Sequence, residues 1–325
     1  MSQLVTIYGG SGFVGRYIAR RMAKEGWRVR VACRRPNEAM HVKPYGVVGQ
    51  VEPVFCNIRD DASVQAVMHG ADAVVNCVGT FDAKGRNNFD AVQVEGAERI
   101  ARIAAAEGIS RMVHVSAIGA AVESESDYAR TKAEGEVAVL HHQPDAMILR
   151  PSVVFGPEDH FFNRFATMTN FGPVLPVIGA ETKFQPVYVD DIAAAAVKGV
   201  LGQAIGTYEL GGPEVKTFRE LMAVMLETIQ RRRLVVNLPF FAAKMMAGLF
   251  SIGSTLTGGL VKALVTPDQV RSLRNDSVVS DSAKTLADLG ITPTSIESVL
   301  PEYLWRFRPS GQYAAIKNSA KNLKI

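Results

Sequence analysis

The chain has 325 residues, of which 47% are hydrophobic and 21% charged, with a formal net charge of +4. That length suits one large domain, or a large domain with a smaller companion, and the balance excludes disordered and fibrous classes. Three cysteines without paired spacing argue against a disulfide framework, no metal-ligand cluster stands out among six histidines, and no nucleic-acid partner is expected.

The first predicted element is a short buried strand carrying Leu4, Val5 and Ile7. Gly9, Gly12 and Gly15 follow at once, and an amphipathic helix is predicted from Phe13 to about Glu25. Strand, glycine turn and helix in this order form a dinucleotide site. One glycine allows the tight turn, one the approach of backbone to pyrophosphate, and one the packing of helix on sheet. The backbone N–H groups of Phe13 and Val14, at the helix start, face the phosphates.

The second predicted strand, 29–33, ends in Arg34 and Arg35. A carboxylate there would bind the ribose hydroxyls and repel a 2′-phosphate, whereas two guanidiniums grip that phosphate. NADP(H) is therefore expected over NAD(H). Between Arg16 and Arg35 eight basic residues face the single acid Glu25, which sets positive charge around the phosphates. After the third strand, 51–56, Asn57 and Ile58 fall where an adenine edge would lie. After the fourth, 73–78, Val78 and Gly79 let backbone approach the cofactor. Cys33, Cys56 and Cys77 each stand near the end of a strand and read as small buried residues beside the nucleotide.

A helix is predicted over 89–107, and a fifth strand, 112–116, ends in Ser116. Tyr128 and Lys132 follow on one face of a helix predicted over 126–141. A lysine ammonium there is expected to lower the phenol pKa, so that Tyr128 exchanges a proton with a carbonyl or hydroxyl that Ser116 steadies. A sixth strand, 146–149, runs into a loop in which Pro151 and Val153 face the nicotinamide end. Further on, an aspartate of the pair Asp190 and Asp191 is expected to cap a helix. Strands alternating with helices in this way predict a doubly wound parallel sheet of Rossmann type, in an NADP-binding domain over 1–205.

The remainder, 206–325, reads as a smaller lobe facing a partner or a substrate. Thr217 to Glu220 is a capping box that opens a helix to about Arg231, with Arg231 to Arg233 at its end. From Met245 to Val261 there are 17 uncharged residues. Four glycines interrupt that run, which makes a poor membrane span and a candidate core or docking surface. From Pro301 onward five basic residues face the single acid Glu302, a basic tail suited to an acidic partner or an anionic membrane surface.

Taken together, the glycine turn, the Ser116, Tyr128 and Lys132 set, and the two Pro-containing loops around Pro151 and Pro186 resemble the extended and atypical short-chain dehydrogenase/reductase superfamily. Within it the chain is most similar to the nucleotide-binding accessory subunits of respiratory complex I and their alphaproteobacterial relatives. The early Tyr128 and the stretches Thr266 to Val270, Asn275 to Val279, Tyr303, Leu304 and Arg306 carry that closer likeness. Only 11 residues separate Ser116 from Tyr128, so the longer loop that shapes the substrate site of sugar-nucleotide epimerases is largely missing.

The resemblance implies a tightly held NADPH without assigned turnover. It also implies contacts with complex I core subunits near the junction of the peripheral and membrane arms. With the first strand starting at Leu4 and no leader before it, the expected location is peripheral. That is the cytoplasmic face of a bacterial inner membrane, or the matrix face of the inner mitochondrial membrane if the protein is organellar. The alternative is an active NADP-dependent oxidoreductase or epimerase that uses Ser116, Tyr128 and Lys132 on an apolar or ring-containing substrate.

Overall fold

The computed structural model describes residues 2–81, 85–241 and 266–313. In chain order the first strands are β1 (Leu4–Tyr8), β2 (Arg28–Cys33), β3 (Val51–Phe55), β4 (Ala73–Asn76), β5 (Met112–Val115) and β6 (Met147–Pro151). They continue with β7 (Val154–Phe155), β8 (Val174–Ile178), β9 (Lys183–Phe184), β10 (Val187–Tyr188), β11 (Gly206–Leu210), β12 (Lys216–Thr217) and β13 (Leu234–Leu238). The helices that matter most are α1 (Phe13–Lys24), α2 (Asp61–Met68), α3 (Glu95–Ala106), α4 (Asp127–His142), α5 (Phe162–Met168), α6 (Val189–Val200) and α7 (Phe218–Thr228).

Seven strands form one sheet in the order β11-β6-β5-β4-β1-β2-β3, and every pair in it is parallel. The predicted doubly wound parallel architecture is the observed one. Every residue of β1, β4 and β5 is buried, as central parallel strands covered on both faces must be. Pro53, which has no N–H to give, sits in β3 at the sheet edge, where that donor is not needed.

Side-chain alternation assigns the two faces. Thr6 and Tyr8 point to α2, where their hydroxyls donate to the carbonyls of Val67 and Val64 at 2.9 and 2.8 Å. On the other face α6 presses on the sheet. A Cβ added to Gly199 would lie 2.6 Å from both Val113 and Met147, so glycine is what allows that approach.

The predicted helix 89–107 divides. Residues Asp90–Val94 form a π-helical turn before α3 begins. Gln93, buried in that turn, donates to the Thr80 carbonyl at 2.8 Å and accepts from the Thr131 hydroxyl at 3.2 Å. The carbonyl of Gln93 lies so near Gly135 of α4 that any Cβ there would strike it. The wide turn is the geometry that satisfies Gln93 against two neighbours at once.

The chain divides into two compact units that alternate along the sequence. One comprises 1–152, 189–211 and 279–293, and the other 153–188, 212–278 and 294–325. The expected division at 205/206 treats these as consecutive halves, while the chain passes between them five times.

The second unit has its own core, in which Phe155, Phe162, Phe184 and Phe218 pack with Leu221, Met225 and Leu300. The capping box at Thr217 and Glu220 is present in both directions, at 3.2 and 2.7 Å. A second one, formed by Thr266 and Gln269, opens the helix Pro267–Ser272. The helix expected to reach Arg231 stops at Thr228, and Gln230 takes a left-handed φ of 55°. The arginines beyond it donate to backbone carbonyls, Arg231 to that of Phe307 and Arg233 to that of Thr169. The buried carboxylate of Asp159 accepts from the Tyr303 hydroxyl and from the Gly156 and Asn163 amides. The uncharged stretch 245–261 and the end of the basic tail lie outside the described residues.

Candidate functional site

The strand order reverses between β1 and β4, and ligands of open α/β sheets bind at such a switch point, beyond the carboxyl ends of the strands. The glycine turn stands there. Gly9 takes a left-handed φ of 74°, and its amide donates to the Ala32 carbonyl at 3.0 Å. A Cβ on Gly9 would come within 3.1 Å of the Cys77 carbonyl. Gly12 caps α1 in an extended conformation, and no side chain satisfies the cap. A Cβ on Gly15 would lie 2.4 Å from the Gly9 carbonyl oxygen and 2.7 Å from the Gly10 Cα, so helix and turn touch backbone to backbone. The first turn of α1, which begins with Phe13 and Val14, holds no acidic residue, leaving its N–H groups and positive dipole end for an anion.

At the end of β2, Arg34 and Arg35 are both exposed. Arg35 is paired with Glu38 at 3.1 Å, while no carboxylate pairs with Arg34 among the described residues. Asn57 uses its side-chain oxygen to hold the Arg59 amide at 3.2 Å, and the side chain of Ile58 lies over Gly96 of α3. Past β4, the Asn76 oxygen accepts from the Val78 amide at 3.0 Å. A Cβ on Gly79 would stand 3.4 Å from the Lys132 ammonium.

Ser116, Tyr128 and Lys132 all belong to the first unit. Lys132 is 5% exposed, and its ammonium donates to the Val115 carbonyl at 3.0 Å. Burial brings its pKa down to about 8, against the opposing pull of Glu136 and Cys77. The Ser116 hydroxyl is 4% exposed and has no hydrogen-bond partner among the described residues. A buried hydroxyl left unmatched costs about 1–3 kcal/mol, and a bound group at this position removes that cost. The open glycine cradle and the orphaned Ser116 hydroxyl both fit a dinucleotide. Pro151 ends β6, and its carbonyl accepts from the Ile118 amide at 3.0 Å. Val153 belongs to the second unit, against whose core it packs.

Two expectations are corrected here. The Tyr128 phenol is not lowered by Lys132: burial raises it well above its ordinary value. The ammonium is committed to Val115, and the Phe81 ring stacks on the tyrosine at 4.7 Å with Phe89 edge-on at 6.2 Å. Asp190 does not cap α6, which starts one residue earlier at Val189. Its carboxylate takes both donors of Arg21 at 2.9 and 2.8 Å and so clamps α6 to the last turn of α1.

Sequence reasoning missed several residues around this set. His114, 1% exposed, accepts from the Asn76 amide at 3.1 Å, and its remaining ring nitrogen has no partner among the described residues. Burial lowers its pKa to about 3, so it is neutral. Its signal was its place two residues before Ser116, on the same face of β5. Glu136, one turn after Lys132, is 4% exposed and forms a two-pronged bond with Arg150.

The Phe81 stack carries a prediction. Phe81→Ala uncovers the phenol, and its pKa is expected to fall by about one unit or more toward the free value near 10. Tyrosinate absorbance against pH, with Tyr128→Phe subtracted, measures it. An unchanged titration would locate the cause of the raised pKa elsewhere.

Strand, glycine turn, helix and the Ser116–Tyr128–Lys132 set define a Rossmann-type dinucleotide-binding protein of the short-chain dehydrogenase kind. The chain belongs to the NAD dependent epimerase/dehydratase family, whose model matches residues 5–203. Among curated relatives, it is 37% identical over 316 residues to the NADH dehydrogenase [ubiquinone] 1 alpha subcomplex subunit 9 of Arabidopsis thaliana. That match covers 95% of this chain and 79% of the relative. The NADH-ubiquinone oxidoreductase 40 kDa subunit of Neurospora crassa is 32% identical, over 95% of this chain and 80% of its own. The ceramide reductase of Caulobacter vibrioides is 30% identical over 78% of this chain and 79% of its own. Among solved structures, the UDP-glucose 4-epimerase of Thermus thermophilus with NAD superposes with a TM-score of 0.68 at 18% identity, over 95% of this chain and 100% of that one. At that identity the likeness is one of fold.

Proposed function

We propose that the protein is an NADP(H)-binding accessory subunit of respiratory complex I, in which the nucleotide is held mainly for structure and assembly. The observation that carries this reading is the reach of the likeness. The family model stops at residue 203, but the match to the Arabidopsis subunit covers 95% of the chain and so includes much of the lobe beyond. The lobe is where subunit contacts, near the junction of the peripheral and membrane arms, are expected. No helix among the described residues is long and apolar enough to cross a membrane, which suits peripheral attachment.

The site residues divide the work. The α1 amides and the glycine turn receive the pyrophosphate, and Arg34 takes the 2′-phosphate. Lys132 donates to the nicotinamide ribose, and the Ser116 hydroxyl gains the partner it lacks. NADPH, when bound, supplies a hydride. The Tyr128 phenol, raised in pKa and covered by Phe81, is poorly placed to exchange a proton with a substrate, which favours a held nucleotide over a turning one.

The test is to solubilise native membranes in mild detergent and resolve a tagged copy on a non-denaturing gel. Co-migration with NADH dehydrogenase activity, with near-stoichiometric NADPH released on denaturation, is the expected result. A free monomer with exchangeable nucleotide would overturn it.

A second reading is favoured by the 30% identity to a ceramide reductase and by the intact Ser116, Tyr128 and Lys132. It makes the protein an NADP-dependent reductase of an apolar substrate. Turnover of a long-chain carbonyl compound that collapses in Tyr128→Phe, while the nucleotide stays bound, would establish it. Absence of turnover across a panel of such compounds removes it.

A further inference from the structure

A chain of buried and half-buried charge runs behind Lys132, wholly within the first unit. Glu136 follows Lys132 by four residues on α4, hence on the same helix face. Its carboxylate takes Arg150 of β6 at 3.0 and 2.6 Å. Arg150 also reaches Glu209 of β11 at 3.7 Å, and Glu209 is held by the amide and hydroxyl of Ser280 at 2.8 and 2.7 Å. Every link has a partner on a different element, so the positions are fixed by the sheet itself.

The other titratable groups around Lys132 carry no negative charge at neutral pH. Cys77, after β4, has its thiol pushed up to about 12 by burial. His114, on β5, is neutral, and the Tyr128 phenol, on α4, is raised. Lys132 forms no ion pair among the described residues, and its ammonium donates to a carbonyl. The negative charge nearest along its own helix face is Glu136, and it draws the lysine pKa upward against burial.

We propose that Glu136 is a positioning residue of the nucleotide site: anchored by Arg150, it keeps the Lys132 ammonium charged and able to donate to a ribose hydroxyl. The proposal rests on the nucleotide-binding reading above. It deepens that reading by assigning the charge state of Lys132 to a residue that does not touch the ligand.

The experiment is NADPH affinity between pH 6.5 and 9.5, read by fluorescence titration, in the wild type and in Glu136→Gln. Within this window Lys132 is the group around the site whose charge changes, with its pKa at about 8. The wild-type affinity is therefore expected to hold below pH 8 and to fall above it. In Glu136→Gln the fall begins about one pH unit lower, which near pH 7.5 is a several-fold loss that shrinks toward pH 6.5. Glu136→Gln leaves Arg150 partly uncompensated, so the double variant Glu136→Gln with Arg150→Met is measured beside it. The break moves in the double variant also if the charge of Glu136 is what matters.

A fall at the same pH in wild type and both variants would overturn the proposal and leave Glu136 as a packing residue. A wild-type affinity flat to pH 9.5 would overturn it as well. A wild type that binds no NADPH at any pH removes the nucleotide reading itself, a failure distinct from an unmoved break.

Discussion

Gly15→Val strips the protein of its nucleotide. A Cβ at this position lies 2.4 Å from the Gly9 oxygen and 2.7 Å from the Gly10 Cα. Both are backbone atoms of the turn, and the turn is tied to β2 through the Gly9 amide. No flexible side chain can move aside, so α1 must shift away from the turn that it faces. Overpacking of this kind costs about 1–3 kcal/mol, and it falls on the amides that receive the pyrophosphate. A loss of at least about 100-fold in NADPH affinity is expected, with a lowered Tm. Fluorescence titration and thermal unfolding check both. Gly172→Ala is the control, since nothing lies within 4 Å of its Cβ position. Retention of stoichiometric nucleotide in Gly15→Val would refute the assignment of this turn.

Arg34→Glu is expected to reverse the proposed preference for NADPH over NADH. The two arginines after β2 look equivalent in sequence but are not so in the fold. Arg35 is already engaged by Glu38, which leaves Arg34 as the guanidinium without a carboxylate partner among the described residues. Hydrogen bonds to charged groups contribute about 1.5–3 kcal/mol each, or about 10- to 100-fold in affinity. A glutamate in its place repels the phosphate and accepts from the ribose hydroxyls of NADH. The NADPH:NADH affinity ratio is expected to fall by about 100-fold or more in Arg34→Glu, and by much less in Arg35→Glu. Because Arg34 is exposed, the wild-type preference should weaken as salt rises. An unchanged ratio in Arg34→Glu would assign the 2′-phosphate to another group.

The parallel sheet and the position of its ligand end were legible because burial on both faces writes itself as unbroken β-branched runs, and glycine spacing marks the switch point. The charged surroundings of the site were less legible. Arg34 and Arg35 differ only through Glu38, whose pairing depends on the turn that follows. The Phe81 ring that stacks on Tyr128 comes from 47 positions earlier. A Tyr-x-x-x-Lys spacing records which groups share a helix face and is silent on which other bonds those groups have already made. The split helix before α3 was hidden for a similar reason. Its amphipathic period is that of an ordinary helix, and the wide turn exists to satisfy Gln93 against Thr80 and Thr131.

The interleaving of the chain bears on how the protein is made. The outer edge of β11 is covered by the segment 279–293, whose Lys284 carbonyl accepts the Glu209 amide at 2.8 Å and bridges Tyr208. That segment leaves the ribosome long after the strand it covers. Until it arrives, β11 presents an unpaired edge of the sort that templates strand addition from other chains. The stretch 279–293 thus acts as a late-arriving seal, and quality control that binds open strand edges would retain an unfinished chain and release a complete one.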